Sequence, residues 1–499
     1  MKIPQQLPIR PALPVILNNV DYQLQETQLI RMDELLRLSG IEEQFVEVKF
    51  QEWLGDRDPR EINGETLLKQ RQRSRTALRC MILMSWRGLA YRVMSVRLGE
   101  SELYRWFCQL DRLGEIRVPS KSEVGRFMEM GDDHLLRRLN GEILKLASLE
   151  PQAEQDQALK LKNEIELETV WLDSTALKVD IHFPADWVLL RDAVRTLMKA
   201  TLLIRDHGVK HRMAPPEEFL RLINKQCMEM SAGRRKADSR KRRKQVLRKM
   251  KKTVQTVRKH ALRHRDKLER DWEQTDWTYK QAMQVIGRID NVLLQLPEAV
   301  EQAHARIIRG DKIENSKKIL SLYEPDVNVI VRGKPESEIE FGNSLLIGEQ
   351  EDGLIVDWQL HRKSAPNDSR QVEGCLERIE QAHGSGAIKS MVGDRQFDSP
   401  GNRSLLKERG IYNALCPRSP KELANKSKSA KFQKAQRRRA QTEARIGILK
   451  NDFLDAPVKR RGFENREKQV AWSVLTHNLW LLTRLDQAEE EPAELPKAA

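Results

Sequence analysis

The stretch RRRAQTEARIGILK, residues 437–450, is strongly basic and carries a single acid near its centre. As a helix it would place Arg439, Glu443, Ile446 and Lys450 on one stripe, at spacings of four, three and four residues. A carboxylate between two cations can hold a divalent metal ion while the cations hold nucleic-acid phosphates. The alternative interpretation is a solvated amphipathic helix with incidental salt bridges. Only the rest of the chain decides between the two.

The positive charge of the chain is concentrated in two segments. The 499 residues carry a net charge of +15, which favours a polyanionic partner. Eighteen Lys or Arg and three acids lie between Arg234 and Arg270, so this segment alone accounts for the excess. A second run, Lys426–Arg439, has seven bases and no acid. Because so much like charge repels itself, we predict that the first segment contacts DNA phosphates; a solvated coiled stalk is the alternative.

Other features exclude several classes of protein. The five cysteines are scattered and form no CxxC pair, which argues against a zinc ribbon and indicates a reducing compartment. No apolar run approaches the roughly 18 residues of a membrane span. The His207/His211 and His260/His264 pairs have no acidic third ligand beside them, so we do not predict metal sites there. We therefore expect a cytoplasmic, nucleoid-associated protein.

The segment ETVWLDSTALKVDIHF, residues 168–183, alternates in a way that predicts a β-strand with Asp173 in its middle. An Asp inside an otherwise apolar strand is unfavourable unless it is paired, solvated or bound to a metal. Asp173 is therefore a candidate site residue.

The basic segment that follows has apolar residues at heptad-like spacing, from Leu247 to Leu268. The segment 277–296 offers an antiparallel partner, which predicts a helical hairpin with a cationic outer face. Six candidate DNA contacts lie at its start: Arg242, Arg243, Lys244, Arg248, Lys251 and Lys252.

After residue 325 the pattern alternates between strands and helices. The predicted elements are a hairpin (338–362), a helix (369–384), a strand ending in Asp394 (387–394), a helix (399–410), a strand (411–417), a basic loop (418–436), the helix with Glu443, and an apolar helix (467–485). Without the residues inserted after the first strand, this order is that of a ribonuclease-H-like α/β domain: a mixed five-stranded sheet flanked by helices. Acids on a central strand, after a neighbouring strand and on a flanking helix can converge in such a sheet.

The whole chain is predicted to contain four parts and a tail. They are an extended arm (1–21), an all-helical N-terminal DNA-binding domain (22–165), the catalytic domain in two pieces (166–185 and 326–485), an all-helical insertion with the basic hairpin (186–325), and a disordered acidic tail (486–499). The N-terminal helices suit a helix-turn-helix-like reader of duplex DNA, and a plain packing domain explains them equally well.

Several motifs resemble the DDE transposases of bacterial insertion sequences. They are LDST (172–175), IHFPADWVLLRDAVR (181–195), RGK…EFG (332–342), GDRQFDSPGNRSLL (393–406) and AWSVLTHNLWLLTRL (471–485). The opening stretch matches the family signature Y-x2-R-x3-E-x6-K at Arg439, Glu443 and Lys450, with Gln436 in place of the Tyr. The IHFPADWVLL phrase further resembles the unclassified-type insertion-sequence transposases.

The resemblance implies cut-and-join chemistry on double-stranded DNA at the ends of an element. It implies that Asp173, Asp394 and Glu443 are catalytic and hold two Mg²⁺ ions, for which Mn²⁺ can substitute, while Arg439 and Lys450 position phosphates. A homodimer is the expected synaptic complex. Three further acids are expected to be superficial or supporting: Asp180, Asp357 and Asp398. A nuclease without strand transfer and a catalytically inactive DNA-binding protein or repressor remain the alternatives.

Overall fold

Strands between Thr169 and Leu415 form one mixed β-sheet. The structure is a computed structural model that describes four ranges: 10–149, 159–232, 238–334 and 337–486. Three predicted features therefore lie wholly or partly outside the described residues: the acidic tail, the start of the arm, and residues 234–236 of the basic segment.

The sheet has six strands, which run in the order β2-β3-β1-β5-β6, with β4 also paired to β3. Their bounds are β1 (Thr169–Lys178), β2 (Asn328–Lys334), β3 (Ser337–Glu349), β4 (Ile355–Leu360), β5 (Ser390–Gly393) and β6 (Tyr412–Leu415). β1 is antiparallel to β3 and parallel to β5, and β6 is parallel to β5. The prediction of a mixed sheet is confirmed; the sheet has one strand more than the five predicted, because β2 was not predicted.

β1 is central because its side chains are buried on both faces, as for Val170, Leu172 and Leu177. The prediction that this strand continues to residue 183 is wrong. β1 ends at Lys178, and only the bridge between Val179 and Val458 extends it.

Five helices follow or flank the later strands. They are α12 (Val372–His383), α13 (Pro400–Glu408), α14 (Pro420–Lys426), α15 (Ala430–Ile448) and α16 (Phe463–Leu482). The prediction of a basic loop over 418–436 is wrong, because α14 and the start of α15 occupy most of it. Ser429 caps α15 by accepting the Phe432 N–H, and Phe432 packs against Trp171 in a small buried cluster.

Among the described residues before β1 there are seven α-helices, as predicted for an N-terminal helical region. They are α1 (Val20–Leu38), α2 (Ile41–Leu54), α3 (Gly64–Trp86), α4 (Tyr91–Glu100), α5 (Glu102–Phe107), α6 (Lys121–Met128) and α7 (Asp133–Ala147). Their buried side chains belong to the same hydrophobic core as the sheet and α16. These helices therefore pack on the sheet rather than apart from it.

The long helical region after β1 is a bundle with its own hydrophobic core. Its helices are α8 (Asp186–Asp206), α9 (Pro216–Ser231), α10 (Ser239–Asp271) and α11 (Tyr279–His304). The heptad-like residues of α10, such as Leu247, Met250 and Val257, are fully buried as predicted. α10 also packs on α8 and α9, so a four-helix bundle replaces the predicted two-helix hairpin. Nowhere in the described ranges is a helix both long and apolar enough to span a bilayer.

Asp357 joins the N-terminal helices to the sheet. This carboxylate on β4 is 1% exposed, and it accepts hydrogen bonds from Arg137 of α7 at 2.8 Å and from Arg378 of α12 at 2.7 Å. The supporting role expected for Asp357 agrees with these contacts.

We expect Asp357→Ala to lower the free energy of unfolding by about 3 kcal/mol, since removing one member of a buried ion pair leaves its partners unpaired. Urea denaturation measures this. Asp326→Ala is the matched control, because Asp326 pairs with Arg362 near the surface and such pairs contribute less than about 1 kcal/mol. Equal losses in both variants would show that the buried pairing adds nothing.

Candidate active site

A cavity of about 880 Å³ opens where β1 runs past the end of β5. β1 pairs with β5 only over Thr169–Trp171, so Asp173 lies beyond the part of β1 that pairs with β5. Asp394 directly follows β5, and Glu443 lies on α15. All three carboxylates line this cavity. Residues 221 and 49 positions apart in the chain (394 − 173 and 443 − 394) are thus brought to one place.

Asp173 is half-buried, and its carboxyl is shifted by its surroundings. Burial, together with the negative charges of Asp394 and Glu443, raises its pKa to about 6. Its Oδ1 accepts the Ser174 backbone N–H at 2.9 Å, and this bond and Arg439 act in the opposite direction. The negative charges of Asp394 and Glu443 therefore act on Asp173 together with its burial, and Arg439 opposes them.

The other two acids are held differently. Asp394 is half-buried and its Oδ1 accepts the Gln396 backbone N–H at 2.7 Å. The side chain of Glu443 is 60% exposed and lies 3.4 Å from Nη1 of Arg439. Within the described ranges, no three Asp, Glu, His or Cys side chains stand in an arrangement that would hold a metal ion. The acids share a cavity without being gathered into a finished metal site.

Of the two predicted phosphate-positioning cations, Lys450 lines the cavity and Arg439 lies beside Glu443. Lys450 lines the cavity, and its Nζ donates to Oγ1 of Thr175 at 3.2 Å. Arg439 does not line the cavity and contacts Glu443 instead. Lys450 lies in a π-helical turn, Leu449–Phe453, that continues α15.

Gln436 fixes α15 to the sheet. Its Nε2 donates to the carbonyl oxygens of Gly393 at 3.2 Å and Ala414 at 2.7 Å, at the ends of β5 and β6. An amide therefore occupies the position of the signature Tyr and holds Glu443 beside the strand ends.

Arg438 is a site-supporting residue that the sequence did not reveal. It is buried, stacks over the Trp171 ring at 4.5 Å and pairs with Glu349. It also donates to the carbonyl oxygens of Gln350 and Glu351, each at 2.7 Å. The second basic run is therefore not all docking surface, because this member holds α15 against the sheet.

Two further cavity residues were missed. Arg418 lines the cavity and braces the loop after Asp394, donating to the carbonyl oxygens of Arg395 at 3.0 Å and Gln396 at 3.1 Å. Asp368 also lines the cavity and accepts a hydrogen bond from Oγ of Ser174 at 3.1 Å. Both lie outside the strands and the helix that carry the three acids, so no local periodicity pointed to them.

The six candidate contacts on α10 divide into two groups. Arg242, Arg248 and Lys252 are exposed. The other three are half-buried: Arg243 near the Trp187 ring, Lys251 at 3.3 Å from Nδ1 of His304, and Lys244. Among the described residues of α10, none lines the cavity. The basic face is thus a surface separate from the acids.

The spare acids lie apart from any metal-like arrangement. Asp398 is buried and accepts two hydrogen bonds from Arg403, the shorter at 2.6 Å. Asp180 is exposed on the loop after β1.

No protein-family model, curated protein or solved structure matches this chain. Its function must therefore be inferred from its own residues.

The raised pKa of Asp173 predicts a pH-dependent effect of Asp173→Asn on stability. Without divalent cations, wild-type protein above pH 6 carries a buried charge that Asn lacks. The difference between about 6 and the ordinary 3.8 corresponds to at most about 3 kcal/mol. Asp173→Asn should therefore raise the free energy of unfolding at pH 8 by up to that amount. The gain should fall to roughly 0.5 kcal/mol at pH 4, where folded Asp173 is protonated and unfolded Asp173 is protonated in about 40% of molecules, and it should vanish below about pH 3.

Urea denaturation at pH 8 and pH 4, in the presence of a chelator, tests this. Asp180→Asn is the control, because Asp180 is exposed and its loss should change stability little at either pH. A stability gain for Asp173→Asn that is the same at both pH values would contradict the electrostatic explanation.

Proposed function

We propose that the chain is a DDE-type DNA transposase built on a ribonuclease-H-like core. Its substrate would be double-stranded DNA at the terminal inverted repeats of its own insertion sequence, which it would cut and join to target DNA by in-line phosphoryl transfer. Support for the core comes from the strand order, with β3 antiparallel to β1 and with β5 and β6 parallel to it. The helical bundle between β1 and β2 would be the insertion that splits it.

The observation that carries the proposal is the shared cavity of Asp173, Asp394 and Glu443. Carboxylate oxygens are the ligands that Mg²⁺ takes in proteins, and a divalent cation would stabilise the ionised form of Asp173, which burial and the neighbouring acids disfavour. These three residues would hold the metal. When bound, Mg²⁺ in such sites activates the attacking oxygen and stabilises the leaving oxygen.

The chain's own groups would hold the DNA. Lys450 would contact a phosphate at the cavity as a point charge, and Arg439 would make a forked contact. Because Glu443 is exposed and its pairing with Arg439 is a surface contact, a phosphate could take over Arg439 and leave Glu443 able to turn towards the aspartates. The exposed bases of α10 would bind the backbone away from the cavity.

The test is incubation of purified protein with the DNA that flanks its own coding region, in Mg²⁺, followed by mapping of the cut sites. We expect cuts at the terminal inverted repeats on both sides of the element, and we expect pre-cut ends to be joined to a second DNA. Cuts without joining would instead indicate a nuclease without strand transfer. Absence of any metal-dependent cut, with specific binding intact, would overturn the enzymatic proposal.

A catalytically inactive DNA-binding protein or repressor is the second candidate. The absence, within the described residues, of an arrangement ready to hold a metal favours it. The exposure of Glu443 favours it too. Such a protein would bind its own flanking DNA and show no change in that binding when Mg²⁺ replaces a chelator.

A further inference from the structure

The loop after β1 carries a motif that the proposed active site does not use. In IHFPADWVLL the ring of Phe183 is 78% exposed, which places it among the most exposed large apolar side chains described. Its neighbour is Phe341 on β3, whose ring lies 5.9 Å away at 85°, so that one edge of Phe183 is supported. A single exposed apolar residue is ordinary, so the surroundings of Phe183 decide what it means.

The loop that carries Phe183 is fixed at both ends. On the sheet side, the Asp180 N–H donates to the Val458 carbonyl at 3.1 Å. On the bundle side, Asp186 is buried and accepts hydrogen bonds from Arg306 at 2.9 and 3.0 Å. A ring presented by a fixed loop loses little conformational freedom on contact, which favours binding.

A cavity of about 240 Å³ lies beside this ring, between the loop and the consecutive bases Lys459, Arg460 and Arg461. Lys459 pairs with Asp455 at 3.1 Å, and Arg460 stacks over the Tyr91 ring at 4.8 Å. Within the described part of the chain, the guanidinium of Arg461 makes no hydrogen bond or ion pair. Of these three bases, and within the described residues, Arg461 therefore has its guanidinium available to a ligand.

The acids around this cavity are mostly neutralised. Asp192 pairs with Arg191 at 3.1 Å, and buried Glu324 pairs with Arg466. Asp180 is the exposed exception. The lining thus offers an aromatic face and a free guanidinium, with one carboxylate on the rim.

Two contacts lie between this cavity and the acids. Lys450 contacts Thr175, and Val458 bridges to Val179. The face of β1 between these two contacts is closed, because Leu177 is fully buried. The cavity beside Phe183 is therefore an opening of its own.

We propose that Phe183 and Arg461, which line one cavity, form a stacking site for an unpaired nucleotide of a DNA strand. The ring would stack on a base, and the guanidinium would hold the adjacent phosphate. Such stacking does not require a particular base, because every base has a π-face. A base within an intact duplex is already stacked on its neighbours, so the site selects unpaired DNA. This inference rests on the proposed function only for the role of the strand, not for its binding.

The test is fluorescence anisotropy of a labelled 20-nucleotide oligo(dT) with the full chain in a chelator, beside a duplex of the same length. We expect Phe183→Ala to weaken oligo(dT) binding by about 5- to 100-fold, as for the loss of one stacked base, and to change duplex binding less than about twofold. Phe183→Trp should keep the affinity. Tyr279→Ala is the matched control, since Tyr279 is another exposed ring with an aromatic edge contact, on the far bundle, and it should change neither.

The charged groups give a second, independent readout. Arg461→Gln should reduce the salt slope of oligo(dT) binding by about 0.7, and Asp180→Asn should tighten binding, because it removes the acid from the rim. Wild-type affinity for oligo(dT) in both Phe183→Ala and Arg461→Gln would overturn the proposal. DNA cleavage is measured in a separate experiment. If the wild-type protein cuts no DNA but Phe183→Ala loses affinity for oligo(dT), only the transposase proposal fails.

Discussion

Asp173→Asn, Asp394→Asn and Glu443→Gln are each expected to lower Mg²⁺-dependent DNA cleavage by at least about 10³-fold, a loss of about 4 kcal/mol of transition-state stabilisation. Each substitution keeps the size of the side chain and removes a negative oxygen ligand. Binding to the flanking DNA should change by less than about threefold, because none of the three acids can attract a phosphate. The loss is therefore expected in the rate at saturating DNA.

Substitution of each of the three acids should reduce DNA cleavage for a different local reason. Burial and both other negative charges raise the pKa of Asp173, so its loss should also change the pH dependence of any residual cleavage. Glu443 lines the cavity but is exposed and paired with Arg439, so it would exchange this partner for the metal. For this reason Arg439→Gln should weaken DNA binding but leave more cleavage than Glu443→Gln.

Single-turnover cleavage of pre-bound flanking DNA separates these effects from binding. Glu408→Gln is the matched control, because Glu408 is an exposed glutamate near the end of another helix, α13, and does not line the cavity. It should cleave as wild type does. Cleavage at the wild-type rate by Glu443→Gln would remove this residue from the catalytic set, and the same result for Asp173→Asn would end the metal-site proposal.

The stripe formed by Arg439, Glu443, Ile446 and Lys450 was predictable because these residues follow the period of an α-helix. Glu443 and Lys450 both line the cavity, as the spacing of seven residues requires. Arg438 is one position from Arg439 and points elsewhere, into a buried pairing with Glu349, 89 residues away in the chain. No helical period reveals such a partner, because the pairing depends on how α15 crosses the sheet.

The difference between local patterns and tertiary contacts also explains why β2 and the helices within residues 418–436 were not predicted. The hairpin of β3 and β4 was recognisable from two apolar runs around a turn, whereas β2 contains a short run next to Arg and Lys at the edge of the sheet. Residues 418–436 appeared to be a loop because they are basic. They are largely helical because Ser429 supplies a cap and Phe432 supplies a buried anchor. Tertiary contacts therefore outweighed composition in both places.

The triple variant Arg242→Gln, Arg248→Gln and Lys252→Gln is expected to weaken duplex DNA binding by about two to three orders of magnitude near 0.1 M salt. All three side chains are exposed on α10, and the helix has no acid from Ser239 to Arg265. If each neutralises one phosphate, each contributes about 0.9 to the slope of log affinity against log salt. The slope should then flatten by about 2.7, and the loss of affinity should shrink as salt rises.

A control variant must distinguish direct contact between α10 and DNA from the effect of a lower net charge on binding. Lys317→Gln, Lys389→Gln and Lys407→Gln together also lower the net charge from +15 to +12 (15 − 3), using exposed lysines that do not belong to α10. Scattered charges farther than about 10 Å from the DNA are screened at 0.1 M salt, so this variant should lose less than about threefold. Similar losses in the two triple variants would mean that the charge of α10 acts only at long range. A distinct loss confined to the α10 variant requires DNA phosphates to lie against that helix, with the bundle core, including Leu247 and Val257, holding its basic face in place.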